Sequence, residues 1–334
     1  MKSNQVLAFS AKPYDQSFLS SAAKTQGDFE FDCYSFPLSP ISAEMAKGYE
    51  VVSSFVNDDI SEGTLKVLAK GGTKLIALRC AGYNNVDLAA AKSLGIKVVN
   101  VPSYSPHAVA EYAIALMLAL SRNIPKAYNR VKDGNFSLNG LLGFNFYQKT
   151  VGIIGGGQIG QLVGQRLKAF GCEILVYEPY NIEACEALGF KSVNLNTLFT
   201  QSDIISLHCP LVPNTRHIIN AKTIADMKQG VMLINTGRGA LLDTKAVLDA
   251  IKSRKVAYLG IDVYEEESAL FFDDHSSDII QDDVLERLIT FPNVIVTGHQ
   301  GYFTEEALQH ICQTTVTNIM QFKSKQPLTN QINI

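Results

Sequence analysis

The chain has 334 residues, with 29 Lys and Arg against 32 Asp and Glu, a formal net charge of -3, and 46% hydrophobic residues. At roughly 100 to 200 residues per domain this length predicts two domains, at most three; it excludes a peptide hormone or small binding module, and the apolar content excludes wholesale disorder. With charges balanced and no basic block among them, nucleic acid is not an expected partner.

The longest uninterrupted apolar stretch, residues 113–120, is far short of the roughly 18 to 20 residues that span a bilayer. Met1 and Lys2 lead into only four apolar residues at 6–9, too few for a signal-peptide core. A cytoplasmic protein is therefore expected. The six cysteines (Cys33, Cys80, Cys172, Cys185, Cys209, Cys312) show no CxxC spacing. They read as buried thiols in a reducing compartment, with neither disulfides nor a metal expected.

In chain order, β-branched runs at 6–9, 51–55, 74–78 and 97–101 alternate with longer amphipathic stretches, the rhythm of a parallel α/β sheet. From 105 to about 131 the period becomes helical, with Val109, Tyr112, Ala113, Leu116, Met117 and Leu120 in helix register after Pro102 and Pro106. This reads as one long helix crossing between domains, and it offers a surface for a homodimer or homotetramer. Strands then follow at 150–154, 174–177, 204–207, 231–235, 257–263 and 294–297, enough for a complete doubly wound unit. The acidic stretch 265–283 reads as a solvated loop. After His299 one amphipathic helix, about 304–322, is left without a following strand and is expected to return to the first domain.

The strand Val151-Gly152-Ile153-Ile154 runs into Gly155-Gly156-Gly157-Gln158-Ile159-Gly160, a GxGxxG sequence with a helical stretch behind it. In such a turn Gly155 permits the tight bend, Gly157 lets backbone approach a pyrophosphate, and Gly160 allows close helix packing, while the first helical residues Gln158 and Ile159 present the positive helix end. Glu178 ends the next strand, where a carboxylate accepts hydrogen bonds from ribose hydroxyls and repels a 2′-phosphate, favouring NAD over NADP. Ligands of such sheets bind beyond the carboxyl ends of the strands. The polar residues there are His208-Cys209-Pro210, Asn235-Thr236-Gly237-Arg238, Asp262 and His299. Two histidines, His208 and His299, compete for an acid–base role, and spacing leaves both open. Arg238, flanked by glycines, suits a bidentate grip on a carboxylate or an ordinary loop position. Any one of Glu265, Glu266 and Glu267 could orient a histidine or be solvated.

The stretches Arg79-Cys80-Ala81-Gly82-Tyr83-Asn84-Asn85-Val86-Asp87, Asn100-Val101-Pro102-Ser103-Tyr104-Ser105-Pro106, Asn235-Thr236-Gly237-Arg238-Gly239 and Thr297-Gly298-His299-Gln300 resemble the D-2-hydroxyacid dehydrogenases over almost the whole chain. Gly260-Ile261-Asp262-Val263-Tyr264-Glu265, with Leu270-Phe271-Phe272 and Ile279-Ile280-Gln281-Asp282-Asp283, is similar to the fermentative, D-lactate-forming branch. The resemblance implies an α/β fold of two doubly wound parallel-sheet domains, a Rossmann NAD domain at 102–299 inserted into a discontinuous flavodoxin-like substrate domain at 1–101 and 300–334. It implies that Arg238 binds the substrate carboxylate and reacting oxygen, His299 is the proton donor and acceptor, and Glu267 hydrogen-bonds that histidine. It also implies that Ala81 and Gly82 amides hold the carboxylate, that Tyr104 and Tyr302 line the pocket, and that His208, Cys209, Pro210, Thr236 and Asp262 lie on the cofactor wall. One departure is Glu178, where many members carry Asp. The expected reaction is hydride exchange between NADH and pyruvate. The rival expectations are a reductase of glyoxylate, hydroxypyruvate or a bulkier 2-keto acid, and an NAD-sensing corepressor-like binding protein.

Overall fold

The computed structural model describes residues 4–26, 29–267, 270–272 and 274–332. Met1 and Lys2, on which the signal-peptide reading turns, and Ser268, Ala269 and Asp273 of the acidic stretch lie outside the described residues. The chain divides into two units, Met1–Ser105 with Phe303–Ile334, and Pro106–Tyr302.

In the first unit, β1 (Gln5–Ala8), α1 (Pro13–Gln26), β2 (Glu30–Cys33), β3 (Val51–Ser54), α2 (Glu62–Gly71), β4 (Leu75–Leu78), α3 (Leu88–Ser93) and β5 (Lys97–Val99) form a parallel sheet in the order β2-β1-β3-β4-β5. This is the flavodoxin-like order, with its switch point between β1 and β3. The period of two along each strand sorts the side chains into two cores. Val6, Ala8, Val51, Leu75 and Ala77 pack with Leu19 of α1 and with Cys312, Val316 and Ile319 of the C-terminal helix Glu305–Lys323. Leu7, Val52, Ile76 and Leu78 pack with Leu65, Leu68 and Ala91 on the opposite face. With both faces covered, the strands read as nearly continuous apolar runs. The exception is β2, which the sequence pattern does not reveal. Its Glu30 and Asp32 are tolerated because it is the sheet's edge, half exposed, with Asp32 accepting a hydrogen bond from the Tyr49 hydroxyl. Beyond the C-terminal helix, Gln331 makes one antiparallel bridge to Val99.

The second unit begins with α4 (Pro106–Ser121) and α5 (Ile124–Lys132), where the sequence period suggests a single helix. Asn123 adopts a left-handed φ of 52°, and proline occupies the first turn of α5; in a helix interior that ring would clash with the preceding turn, so the helix must restart there. There follow β6 (Thr150–Ile154), α6 (Gln158–Ala169), β7 (Glu173–Tyr177), α7 (Ile182–Ala187), β8 (Lys191–Ser192), α8 (Leu195–Gln201), β9 (Ile204–Leu207), α9 (Ala221–Asp226), β10 (Val231–Asn235), α10 (Thr244–Lys252), β11 (Val256–Ile261), α11 (Asp283–Ile289) and β12 (Val294–Val296). The strands are parallel, in the order β12-β11-β10-β9-β6-β7-β8. Counted from β6 this is the Rossmann order with one further strand at the end. The two-residue β8 is too short to show in the hydrophobic pattern. Buried Ala113, Leu116, Met117 and Leu120 of α4 share a core with Ile153, Val176 and Ile234 of the sheet.

The unit boundaries fall at 105/106 and 302/303, against 101/102 and 299/300 in the sequence reading. Gln300 and Gly301 stay with the second unit because their N–H groups bond the carboxylate of Asp262. No helix among the described residues is long and apolar enough to cross a membrane.

Ile319 is fully buried beneath the first sheet. Ile319→Ala is expected to lower the unfolding free energy by about 2–5 kcal/mol, measured by urea titration of circular dichroism. A loss below about 1 kcal/mol would mean that the C-terminal helix is not part of that core.

Candidate active site

The glycine turn joins β6 to α6 at the switch point between β6 and β9. Gly155 has φ 101°, and a Cβ there would lie 2.5 Å from the Cys209 nitrogen. At Gly160 a Cβ would lie 2.0 Å from the Gly155 carbonyl oxygen, which brings the helix down onto the turn. At Gly157, the N-cap of α6, a Cβ would meet nothing within 4 Å, and no side chain caps the helix. The first amides of α6, at Gln158 and Ile159, thus open toward space that an anion can fill.

Glu178 follows β7 and is 9% exposed. Its Oε2 accepts the Gly156 N–H at 2.7 Å, and its Oε1 accepts the Tyr180 N–H at 2.9 Å. It therefore closes the glycine turn as well as presenting negative charge beside it, a structural role that the sequence reading does not assign. Gly156 is also obligatory, because a Cβ there would lie 2.4 Å from Cys185 Sγ. Three successive glycines were the visible signal of that crowding.

The next strand ends separate the two histidines. His208 follows β9 and its Nε2 lies 2.8 Å from the Ser206 hydroxyl. Burial pushes its imidazolium down to about 4, so near neutrality the ring is uncharged. Cys209 beside it is a protonated thiol, pushed up to about 11 by burial, and no nucleophile at neutral pH. Pro210 is exposed. The buried hydroxyl of Thr236, after β10, has no hydrogen-bond partner.

Arg238 sits in the turn after β10. Asn235 shapes that turn, its Nδ2 donating to the Arg238 carbonyl at 2.8 Å and its Oδ1 accepting the Gly237 N–H at 3.0 Å. Nη1 of Arg238 donates to the Gly237 carbonyl at 2.8 Å. Among the described residues the guanidinium meets no carboxylate, which leaves a planar cation half-buried and available to an anion.

Asp262 follows β11 and is 2% exposed. Its carboxylate accepts hydrogen bonds from Thr297 Oγ1 at 2.6 Å, the Gln300 N–H at 2.9 Å and the Gly301 N–H at 2.7 Å. Burial raises its pKa, and those three donors work against the rise. They bracket His299, which holds a left-handed φ of 54°. His299 Nδ1 lies 3.0 Å from Glu267 Oε1, with both side chains about four-fifths buried. Phe272 is tilted against the imidazole at 5.6 Å between centroids, and Tyr302 meets it edge-on at 6.3 Å. Tyr302 thus abuts the histidine itself. Nothing in the spacing of Leu270-Phe271-Phe272 marks Phe272 as a neighbour of this histidine.

In the first unit, Ala81 and Gly82 follow β4. The Ala81 carbonyl accepts from Asn100 Nδ2 at 2.8 Å and the Gly82 carbonyl from Cys80 Sγ at 3.2 Å, while neither N–H meets a protein acceptor among the described residues. Buried Arg79 stitches this edge together, donating to the Phe9 and Ser10 carbonyls at 2.8 and 3.1 Å and to Ser53 Oγ at 3.1 Å. Tyr104 is half-buried in the same unit. Among the described residues no three His, Cys, Asp or Glu side chains converge as metal ligands.

Residues 114–301 match the family model for the NAD-binding domain of D-isomer-specific 2-hydroxyacid dehydrogenases. The D-lactate dehydrogenase of Escherichia coli (strain K12) is 49% identical over 328 residues, 98% of this chain and 99% of that protein. The D-lactate dehydrogenase kk1H of Curvularia clavata is 49% identical, over 98% of this chain and 95% of its own. The solved structure of the pyruvate reductase of Chlamydomonas reinhardtii superposes with a TM-score of 0.94 at 43% identity, covering 98% of this chain and 99% of that one.

The neutral His208 has a consequence for stability. The unfolded chain takes up a proton at this residue near the ordinary histidine value of about 6.5, whereas the folded chain resists until about 4. Its contribution is therefore fully present above about 6.5 and is lost as pH falls toward 4, on the order of 3 kcal/mol at the limit. His208→Gln should flatten the fall of Tm with pH across that window; an unchanged slope would show that the ring protonates freely.

Proposed function

The chain belongs to the D-isomer-specific 2-hydroxyacid dehydrogenases, and on that footing we propose that it is an NAD-dependent D-lactate dehydrogenase interconverting pyruvate and D-lactate. One observation carries the reading: an arginine that meets no carboxylate among the described residues and a carboxylate-backed histidine follow β10 and β12, on either side of β11, in a sheet that bears a dinucleotide fingerprint. A 2-oxo acid needs a cation for its carboxylate and a proton source for its carbonyl oxygen.

The residues present fit a dinucleotide. Open space at Gly157 and the uncapped amides of α6 suit a pyrophosphate, Glu178 suits the ribose and disfavours a 2′-phosphate, and the orphaned hydroxyl of Thr236 gains a partner. When bound, the nicotinamide supplies or accepts the hydride equivalent at the substrate's C2. In this reading Arg238 grips the substrate carboxylate and reaches the C2 oxygen through its planar fork. His299 protonates that oxygen in reduction and takes the hydroxyl proton in oxidation. Glu267 on Nδ1 fixes the ring and leaves Nε2 for the substrate. The free amides of Ala81 and Gly82 are proposed as further carboxylate donors, and Tyr104 and Tyr302 as pocket walls.

We further propose a cytoplasmic homo-oligomer, a homodimer or homotetramer. The six free cysteines suit a reducing compartment. Ile124, Tyr128, Val131, Phe136, Leu138 and Leu142 are all exposed within one short stretch, an apolar surface that a second copy would cover.

The direct test is NADH oxidation against a panel of 2-oxo acids with chiral analysis of the product; preference for another acid, or L-lactate as product, refutes the assignment. His299→Gln should leave NADH affinity near wild type and cut kcat by roughly 100- to 10,000-fold, and a similar kcat loss in His208→Gln would show the two histidines wrongly divided. Glu178→Ser should narrow the preference for NADH over NADPH, chiefly by weakening NADH, because it removes both the repulsive charge and the brace on Gly156. An unaltered ratio of kcat/KM values argues against the ribose role.

A further inference from the structure

The turn bearing Arg238 is held from two sides. On one side Gly239 lies against the backbone of Tyr264, so closely that a Cβ at 239 would fall 2.1 Å from the Tyr264 carbonyl carbon. On the other, residues 217–219 run beside 240–243: the His217 N–H donates to the Ala240 carbonyl at 2.9 Å, the Ile219 N–H to Leu241 at 3.2 Å, and the Asp243 N–H to Ile219 at 2.8 Å. Glu265 joins the two flanks. Its Oε1 accepts from His217 Nε2 at 2.6 Å and from Arg216 Nη2 at 3.1 Å, and its Oε2 lies 3.4 Å from the Thr244 hydroxyl.

This clasp continues into the proton-transferring pair. Glu267 Oε2 accepts the Tyr264 N–H at 2.9 Å, while its Oε1 holds His299. The four residues 264–267 therefore press on the arginine turn through Tyr264 and hold the histidine through Glu267. The Glu265 side chain is 16% exposed, so its hydrogen bonds are only partly replaceable by water. His217 adopts a left-handed φ of 50°, a strained position for a residue with a side chain. A solvated surface ion pair explains neither feature.

We propose that Glu265 and His217 are positioning residues for the 2-oxo acid site, fixing the Arg238 turn relative to Glu267 and His299. The proposal rests on the roles given above to Arg238 and His299. Neither member of the pair touches the substrate. They act through the contact of Gly239 with Tyr264, so loosening them displaces the guanidinium, and displacements of this kind cost heavily in reacting geometry.

The test is steady-state kinetics of pyruvate reduction with an NADH titration on the same preparations. Glu265→Ala should lower kcat/KM for pyruvate by about 10- to 100-fold, mostly through KM, with the Kd for NADH unchanged. Glu265→Gln keeps an oxygen acceptor for His217 and Arg216 and should recover most of the loss, which a merely stabilising role would not produce in folded enzyme. Should Glu265→Ala fail to fold, His217→Ala probes the same clasp. The double variant should be no worse than Glu265→Ala alone, since that variant already removes the interaction that His217→Ala breaks. An unchanged pyruvate KM in Glu265→Ala and His217→Ala, or equal weakening of pyruvate and NADH, overturns the proposal. Arg238→Lys, run in parallel, separates the two levels. If it leaves kinetics at wild type, the reading of the site fails. If it impairs pyruvate while the clasp variants do not, the positioning role alone fails.

Discussion

The Asp262 carboxylate lies at the end of β11 almost wholly out of water. Such a group is stable there only while its oxygens are bonded, and all three of its polar donors come from the loop that carries His299. The backbone of His299 adds a fourth tie, its N–H donating to the Asp262 carbonyl at 2.8 Å. These bonds offset a left-handed backbone that costs about 1–2 kcal/mol for a residue with a Cβ. In the other direction the Asp262 N–H donates to the Asn235 carbonyl at 3.0 Å, and Asn235 shapes the turn of Arg238. The two side chains assigned to the substrate thus share one buried anchor.

The sheet does the rest by its order alone. Read across β12, β11, β10, β9, β6 and β7, successive carboxyl ends deliver His299, Asp262, Arg238, His208, the glycine turn and Glu178. Parallel strands put all these ends on one edge, so residues from widely separated parts of the chain meet without any long loop of their own. Each one needs only a short turn and a local hydrogen bond to set its direction.

This arrangement explains what could be read from the sequence. The parallel α/β class was legible because covered strands leave β-branched runs, and the glycine turn because backbone at Gly155 and Gly160 leaves no room for a Cβ. The edge strand β2 was not, since half-exposed Glu30 and Asp32 break the pattern, nor was two-residue β8. The restart of the helix at Asn123 was written in Pro125, whose ring tolerates a first turn and little else. In the site, Arg238 and both histidines were visible as polar residues at strand ends. Choosing between the histidines needed tertiary facts, namely the burial of His208 and the carboxylate on His299. The clasp between Glu265 and His217 was hidden because its partners are 48 residues apart and His217, unlike Glu265, sits in no motif that the sequence displays.

The neutrality of His208 also bears on redox poise. In the proposed reading this ring borders a cofactor whose oxidised and reduced forms differ by one unit of charge. A wall histidine titrating near neutrality would release a proton when that charge appeared and recover it when it vanished, so the midpoint potential of the bound couple would drift with pH beyond what the hydride's own proton imposes. Because burial holds the ring uncharged down to about pH 4, it takes no part in that exchange. His208 thus adds nothing to the pH dependence of the bound couple, which keeps only the one proton that its hydride carries, and the further proton of the reaction belongs to the substrate's oxygen.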